Sequence, residues 1–227
     1  MNSNMLIIIP SAGIGKRMRS HGPKATIELL EGETVLDRQI SILRKVFPKS
    51  KIVIVIGFQK EKFNKIENVH YLENESYENT NVSYSINLAL QKYSCSSALI
   101  VYGDLVFTKE IFLNMPSSKS WICIDNQQNH RSNEVGINIV QNKAVHFSYG
   151  LQNKWGQIAF LKGFELELFK DIASKNNSRR KFCFELFNEI IDMNGEFECY
   201  TDKKWKMVEI DTIKDIVRAK KLARKKN

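Results

Sequence analysis

The sequence predicts an α/β protein, with a mostly parallel twisted sheet between two helical layers and a small antiparallel lobe in its second half. Three observations carry this. Continuous apolar runs such as MLIIIP (5–10) and KIVIVIGF (51–58) suit strands buried on both faces. These runs alternate with stretches of helical periodicity, as in crossover units of a parallel sheet. From about residue 121 the apolar runs lie closer together and are joined by Asn- or Gly-containing turns, as in antiparallel hairpins.

Taken in order, 5–10 is a central strand and 11–24 a Gly-containing loop. Residues 34–47 set Leu36, Ile40, Leu43 and Phe47 on one helical face. The strand 51–58 follows, then a short polar helix over 59–66 and a short strand at 69–72. A helix over 82–93 precedes the strand SALIVYGD (97–104). In the second half, strands are expected at 121–125, 134–140, 144–150 and 156–161, and helices at 163–174 and 180–193. A strand at 197–200, a strand at 207–211 and a helix from 212 complete the chain, with Thr212 and Asp215 spaced as a capping box. One domain is predicted over 1–227. Residues 1–115 form its first half, 116–206 a lobe and 207–227 the closing strand end and helix.

Composition sets bounds. The 227 residues are 43% hydrophobic and 26% charged, with 11 Gly and 4 Pro, which suits a folded core and argues against disorder. No apolar run reaches the roughly 20 residues needed to cross a bilayer. The polar start at Met1–Met5 lacks the features of a signal peptide, which predicts a cytoplasmic protein without membrane partners. Cys95, Cys123, Cys183 and Cys199 are widely spaced and predict reduced, structural thiols. The net charge of +9 is concentrated in the tail. Residues 218–227 carry six basic side chains and no acidic one, and taking those six from +9 leaves +3. Such a run reads as a solvated helix end, and no aromatic RNA-binding signature accompanies it. A non-enzymatic RNA-binding module is therefore the weaker reading.

The segment Pro10-Ser11-Ala12-Gly13-Ile14-Gly15-Lys16-Arg17-Met18, followed by Pro23-Lys24, is the most informative. A buried strand delivers the chain to a loop whose glycines let backbone N–H groups turn around an anion. Arg17 adds a planar fork for phosphate oxygens and Lys24 a mobile point charge. The pattern is not the dinucleotide fingerprint, since Met18 stands where its third glycine belongs, nor is it the Walker loop. By spacing alone, a tight turn flanked by surface cations fits too.

PSAGIGKRM with GPK resembles the signature loop of nucleotidyltransferases of the GT-A-like, Rossmann-like fold. That family includes sugar-phosphate uridylyl- and thymidylyltransferases and several cytidylyltransferases. The resemblance implies that Ala12, Gly13, Gly15, Arg17 and Lys24 hold a nucleoside triphosphate. Lys16 is grouped with them at a variable position.

Asp104 ends an apolar strand, at the sheet edge where open α/β sheets bind ligands. Glu209 and Asp211 share one side of a second strand end by period-two alternation. Mg²⁺ needs only one or two protein carboxylates besides phosphate oxygens and water. A turn or cap role fits either aspartate taken alone. YGDLVF and VEIDTIKDI are similar to the family's two metal-binding blocks, which implies Mg²⁺ on Asp104 and Asp211.

Asn74-Glu75-x-Tyr77 and the following Asn79-Thr80-Asn81-x-Ser83-x-Ser85 offer groups that read amides and hydroxyls, although Asn81 or Ser83 also suits a helix N-cap. The block is similar to that of phosphocholine cytidylyltransferases. The resemblance implies CTP as the nucleotide, with Asn81 and Ser83 beside it, and a small phosphorylated acceptor of phosphocholine or phosphoglutamine type, used for capsule or surface polysaccharide.

Trp155, Trp205, Tyr149 and Tyr200 suit either a pocket for a cation or simple core packing. Glu134 and Glu209 could attract an amine; Arg131, Lys154, Arg179 and Arg180 could attract a carboxylate or phosphate. The alternatives kept open are a sugar-1-phosphate uridylyl- or thymidylyltransferase and a glycosyltransferase, the latter disfavoured by the lack of D-x-D at Asp104-Leu105-Val106. None of His21, His70, His130 and His146 sits in a catalytic pattern. The oligomeric state is left open, a homodimer included.

Overall fold

The computed structural model describes residues 4–15, 22–63, 65–125 and 133–224. Its strands are β1 (Met5–Pro10), β2 (Glu28–Leu30), β3 (Glu33–Thr34), β4 (Lys51–Ile56), β5 (His70–Glu73), β6 (Ser97–Val101), β7 (Leu105–Phe107), β8 (Trp121–Asp125), β9 (Val135–Val140), β10 (Lys143–Tyr149), β11 (Asn153–Lys162), β12 (Glu198–Tyr200) and β13 (Met207–Glu209). The helices are α1 (Val35–Val46), α2 (Val82–Lys92), α3 (Glu110–Leu113), α4 (Phe164–Ser174), α5 (Cys183–Asp192) and α6 (Ile213–Ala223).

Nine strands form one sheet in the order β5-β4-β1-β6-β11-β8-β12-β10-β9. The first four are parallel, as the strand–helix alternation predicts. The antiparallel strands expected in the second half add to the same sheet, with β11 pairing antiparallel with β6. Side-chain alternation explains the three layers. Leu6 and Ile8 of β1 face the core beneath α2, α4 and α5, while Ile7 and Ile9 face the one beneath α1 and α3. Val53 and Val55 against Ile52 and Ile54 of β4 repeat the pattern. Ile7, Ile8 and Ile9 are fully buried, each worth about 1.5–3 kcal/mol relative to exposure.

Most predicted boundaries lie within a few residues of the observed ones. The helix expected at 59–66 is replaced by a single 3₁₀ turn, Lys60–Lys62, entered through Gln59 in the left-handed region at φ 48°. The β2–β3 hairpin, which turns through Gly32 at φ 72°, and the short strand β7 are additional. A capping box does start α6: the Asp215 carboxylate accepts from the backbone N–H of Thr212 at 2.9 Å and from its hydroxyl at 2.8 Å. Among the described residues, no helix is long and apolar enough to cross a membrane.

Candidate active site

The carboxyl end of β1 carries the loop. Ser11 N–H donates to the Val55 carbonyl at 2.7 Å, Phe58 N–H to that of Ala12 at 3.1 Å, and Gly103 N–H to that of Pro10 at 3.3 Å. These bonds tie the starts of three loops together. They also explain two glycines: a Cβ on Gly103 would stand 2.1 Å from Ser11 Oγ, and one on Gly57 would stand 2.9 Å from Tyr77 Cβ and 3.0 Å from Ala12 Cβ. Gly15 turns through φ 58°. Lys16 and Arg17 lie outside the described residues, as does Arg131.

A cavity of about 200 Å³ opens here, lined by Ser11, Ala12, Gly13, Gly15, Lys24, Tyr77, Asn81 and Asp104 among others. Its far wall, 74–81, is templated by Asn74, which is 1% exposed. The Asn74 amide donates to Thr80 Oγ1 and Ser85 Oγ, both at 3.0 Å, and its carbonyl oxygen accepts from Ser76 N–H at 3.0 Å. Asn81 lines the cavity and also caps α2, with Oδ1 accepting from Val82 N–H at 2.9 Å and Nδ2 donating to the Arg180 carbonyl at 3.2 Å. Ser83 is fully buried, its hydroxyl donating to the Lys181 carbonyl, so it ties α2 to the 178–181 turn.

The acidic residues converge because β7 and β13 pair antiparallel, with Leu105 opposite Glu209, and Ile210 N–H donates to the Asp104 carbonyl at 3.0 Å. One carboxylate oxygen from each of Asp104, Glu209 and Asp211 lies within 4.8 Å of the others. Lys24 Nζ reaches between two of them, 2.8 Å from Asp104 Oδ2 and 2.7 Å from Asp211 Oδ1. Burial works against the Lys24 charge, but Asp104 and Asp211 outweigh it and hold the ammonium well above the ordinary lysine range. Burial, and next the Asp104 charge, push the Glu209 carboxyl up. Asp104 Oδ1 is buried and has no hydrogen-bond partner. Three hard oxygen donors, one of them orphaned, suit Mg²⁺.

A second cavity, about 390 Å³, shares Gly15, Lys24 and Tyr102 with the first. Glu134, Lys154, Glu209 and Asp211 lie on its polar side, and Tyr149, Trp155, Phe182 and Phe184 on its aromatic side. Tyr149 meets Phe184 edge-on at 5.4 Å, and Phe182 stacks on Phe184 at 5.8 Å. Of the four aromatics named from sequence, Trp205 and Tyr200 lie elsewhere, packed together at 4.7 Å in the core layer beneath α1. Arg179 sits over the Tyr84 ring at 4.6 Å and Arg180 donates to the Asn79 carbonyl, so neither lines this cavity. Phe182, Phe184 and Gln157 escaped the sequence reading. Gln157 sits at φ 56° where the β11–β8 register shifts, an irregularity that side-chain pattern does not announce.

Solved structures share this architecture. CTP:phosphocholine cytidylyltransferase from Streptococcus pneumoniae superposes with a TM-score of 0.75 at 17% identity, covering 97% of this chain and 100% of that one. The inositol-1-phosphate CTP transferase of T. maritima gives 0.76 at 14% identity, covering 100% and 99%. In sequence, the choline-phosphate cytidylyltransferase of Haemophilus influenzae is 28% identical over 131 residues, 56% of this chain and 55% of that protein. The bifunctional protein GlmU of Buchnera aphidicola is 28% identical over 112 residues, 49% of this chain and 24% of that protein. The chain thus spans about a quarter to a half of the length of these two curated sequence relatives. Residues 7–151, well over half of the chain, match the MobA-like NTP transferase domain, and the chain belongs to that nucleotidyltransferase family.

Proposed function

We propose that this protein is a cytoplasmic, Mg²⁺-dependent cytidylyltransferase that joins CMP from CTP to a small phosphorylated acceptor and releases pyrophosphate, in the service of capsule or surface polysaccharide. The observation that carries the reading is the acidic corner at the junction of two cavities, with Lys24 held between Asp104 and Asp211. Cytosine is favoured by the sequence likeness to the Haemophilus choline-phosphate cytidylyltransferase. Residues 1–115 supply the nucleotide half, 116–206 the acceptor side, and 207–227 the metal strand end and closing helix.

CTP takes the first cavity, its triphosphate against the backbone of Ala12, Gly13 and Gly15, with Arg17 and Lys24 neutralising it. Asn81 stands at the base end, while Ser83 supports that wall from behind. Asp104 and Asp211, with Glu209 beside them, would hold Mg²⁺. When bound, the ion supplies Lewis-acid stabilisation of phosphate charge. The acceptor's phosphate oxygen attacks the α-phosphorus in line, a new P–O bond forms, and the bond to the bridging oxygen breaks. Pyrophosphate leaves with that electron pair beside the cations. A phosphate monoester is already largely ionised near neutral pH, so no general base is required.

A second reading, a sugar-1-phosphate uridylyl- or thymidylyltransferase, draws on the likeness to GlmU. Pyrophosphate release with Mg²⁺, each common NTP and a panel of acceptors separates the two. Release with CTP and a non-sugar acceptor is expected. Release only with UTP or dTTP and a sugar phosphate would establish the second reading, and absence of both release and NTP binding would refute the enzyme class.

A further inference from the structure

The acidic pair of the second cavity is already matched by a cation of the chain itself. Lys154 lies on β11, opposite Asp125 of β8 and Gly136 of β9. Its side chain is 4% exposed, and its ammonium stands 3.1 Å from Glu134 Oε1 and 3.0 Å from Glu209 Oε2. A buried ammonium is costly unless paired, so both contacts are needed to hold it there. The next residue, Trp155, is 3% exposed, and its indole N–H is buried without a hydrogen-bond partner. Both residues line the cavity.

We propose that this pocket selects a phosphorylated acceptor whose head group carries an oxygen able to accept a hydrogen bond and bears no net positive charge, with Lys154 as the specificity-determining residue. The inference rests on the cytidylyltransferase reading and narrows its acceptor class. Two independent features point the same way. Lys154 occupies the place between Glu134 and Glu209 that a cationic head group would need, so a quaternary ammonium entering the pocket meets a like charge. The orphaned indole N–H is satisfied by a carbonyl, carboxylate or hydroxyl oxygen, whereas a trimethylammonium group offers it only C–H. Tyr149 and Phe182, 50% and 43% exposed, provide an apolar wall for the carbon portion of the head group. Such a wall serves a polar head group as readily as a cation.

The test compares CMP transfer to phosphocholine, phosphoethanolamine, phosphoglutamine, glycerol 3-phosphate and glucose 1-phosphate. It uses the full chain, Lys154→Gln and Trp155→Phe, with CTP binding measured by calorimetry alongside. The wild-type chain is expected to favour an oxygen-bearing acceptor over phosphocholine by at least about tenfold in kcat/KM. Lys154→Gln uncovers the acidic pair and should narrow or reverse that ratio about tenfold. Trp155→Phe keeps a ring and removes the donor; it should weaken use of the oxygen-bearing acceptor several-fold more than use of phosphocholine, which decides the matter if Lys154→Gln fails to fold. Phosphocholine as the best substrate, an unmoved ratio in the folded variants, or no transfer to any oxygen-bearing acceptor while CTP binds would overturn this inference alone. Loss of CTP binding in the wild-type chain would remove the cytidylyltransferase reading and this inference with it.

Discussion

Replacing Asp104 by asparagine should separate stability from turnover. In the absence of metal, the Asp104 carboxylate feels one strong attraction and two repulsions. Lys24 Nζ at 2.8 Å contributes about 6 kcal/mol of attraction at an effective dielectric of about 20. Glu209 and Asp211, within 4.8 Å, each oppose it by at least about 3.5 kcal/mol on the same scale. The two effects nearly cancel, and an asparagine carbonyl can still accept from Lys24. Thermal unfolding in EDTA should therefore shift by no more than about 2 kcal/mol, or roughly 5 °C for a chain of this size. Turnover should fall by on the order of a hundredfold or more, because the proposed metal ligand, whose Oδ1 is orphaned, has gone. Millimolar Mg²⁺ with CTP should raise the melting temperature of the wild-type chain and leave that of the variant almost unmoved. A loss of more than about 10 °C in EDTA would refute the reasoning, since Asp104 would then be holding the fold together and not a ligand.

Three further outcomes follow from the same geometry. Gly103→Ala places a Cβ 2.1 Å from Ser11 Oγ and 3.2 Å from the Pro10 carbonyl, so the loop after β1 must shift away from Asp104; we expect a cost of about 1–3 kcal/mol and a larger proportional loss of turnover, and unchanged kinetics would show that the loop adapts freely. Phe187→Ala empties the centre of an aromatic cluster, with ring centroids at 5.0 Å (Phe197), 5.5 Å (Phe147) and 5.6 Å (Trp155); about 3–5 kcal/mol should be lost, read as a fall of about 10 °C or more in melting temperature, together with a higher KM for the acceptor. Stability should decline at alkaline pH, because burial pushes the Cys199 thiol from 9.0 up to about 11, and because burial's downward pull on the Lys154 ammonium is outweighed by Glu209 and Glu134, which hold it above 10.5. Both groups bind protons more tightly when folded, so the urea midpoint should fall as pH rises from 9 through 11, and a flat profile would contradict the sign.

The parallel half of the fold was legible because strands buried on both faces leave unbroken apolar runs, as in MLIIIP and KIVIVI. The β2–β3 hairpin and β7 were not, since strands of two or three residues carry no measurable period. Asp104 and Asp211 stand after apolar strands, but only the likeness of YGDLVF and VEIDTIKDI to the family's metal-binding blocks singled them out. Their convergence depends on β7 pairing with β13, segments about a hundred residues apart, and no local signal encodes that contact. Lys24 was read as a phosphate-binding charge, yet its place between two carboxylates is a tertiary fact. Likewise, Lys154 and Glu134 were suggested as attractors of opposite kinds, and only the fold shows them paired to each other.

Orphaned buried polar atoms also occur away from the cavities, at Arg38 and Asn87, so their mere presence identifies no site. Placement distinguishes three of them. Ser11 Oγ lies at the loop after β1, Asp104 Oδ1 at the acidic corner, and Trp155 Nε1 belongs to a side chain lining the second cavity. Each is a cost to the folded chain that a partner could offset. A hydroxyl can pair with either a donor or an acceptor, a carboxylate oxygen with a cation or donor, and an indole N–H only with an acceptor. In the proposed reaction, triphosphate, divalent ion and oxygen-bearing acceptor would be three different answers to these three differently typed groups. Three of the chain's unsatisfied polar atoms thus belong to residues at the two adjoining cavities, the places where the proposed reaction would let function override local consistency.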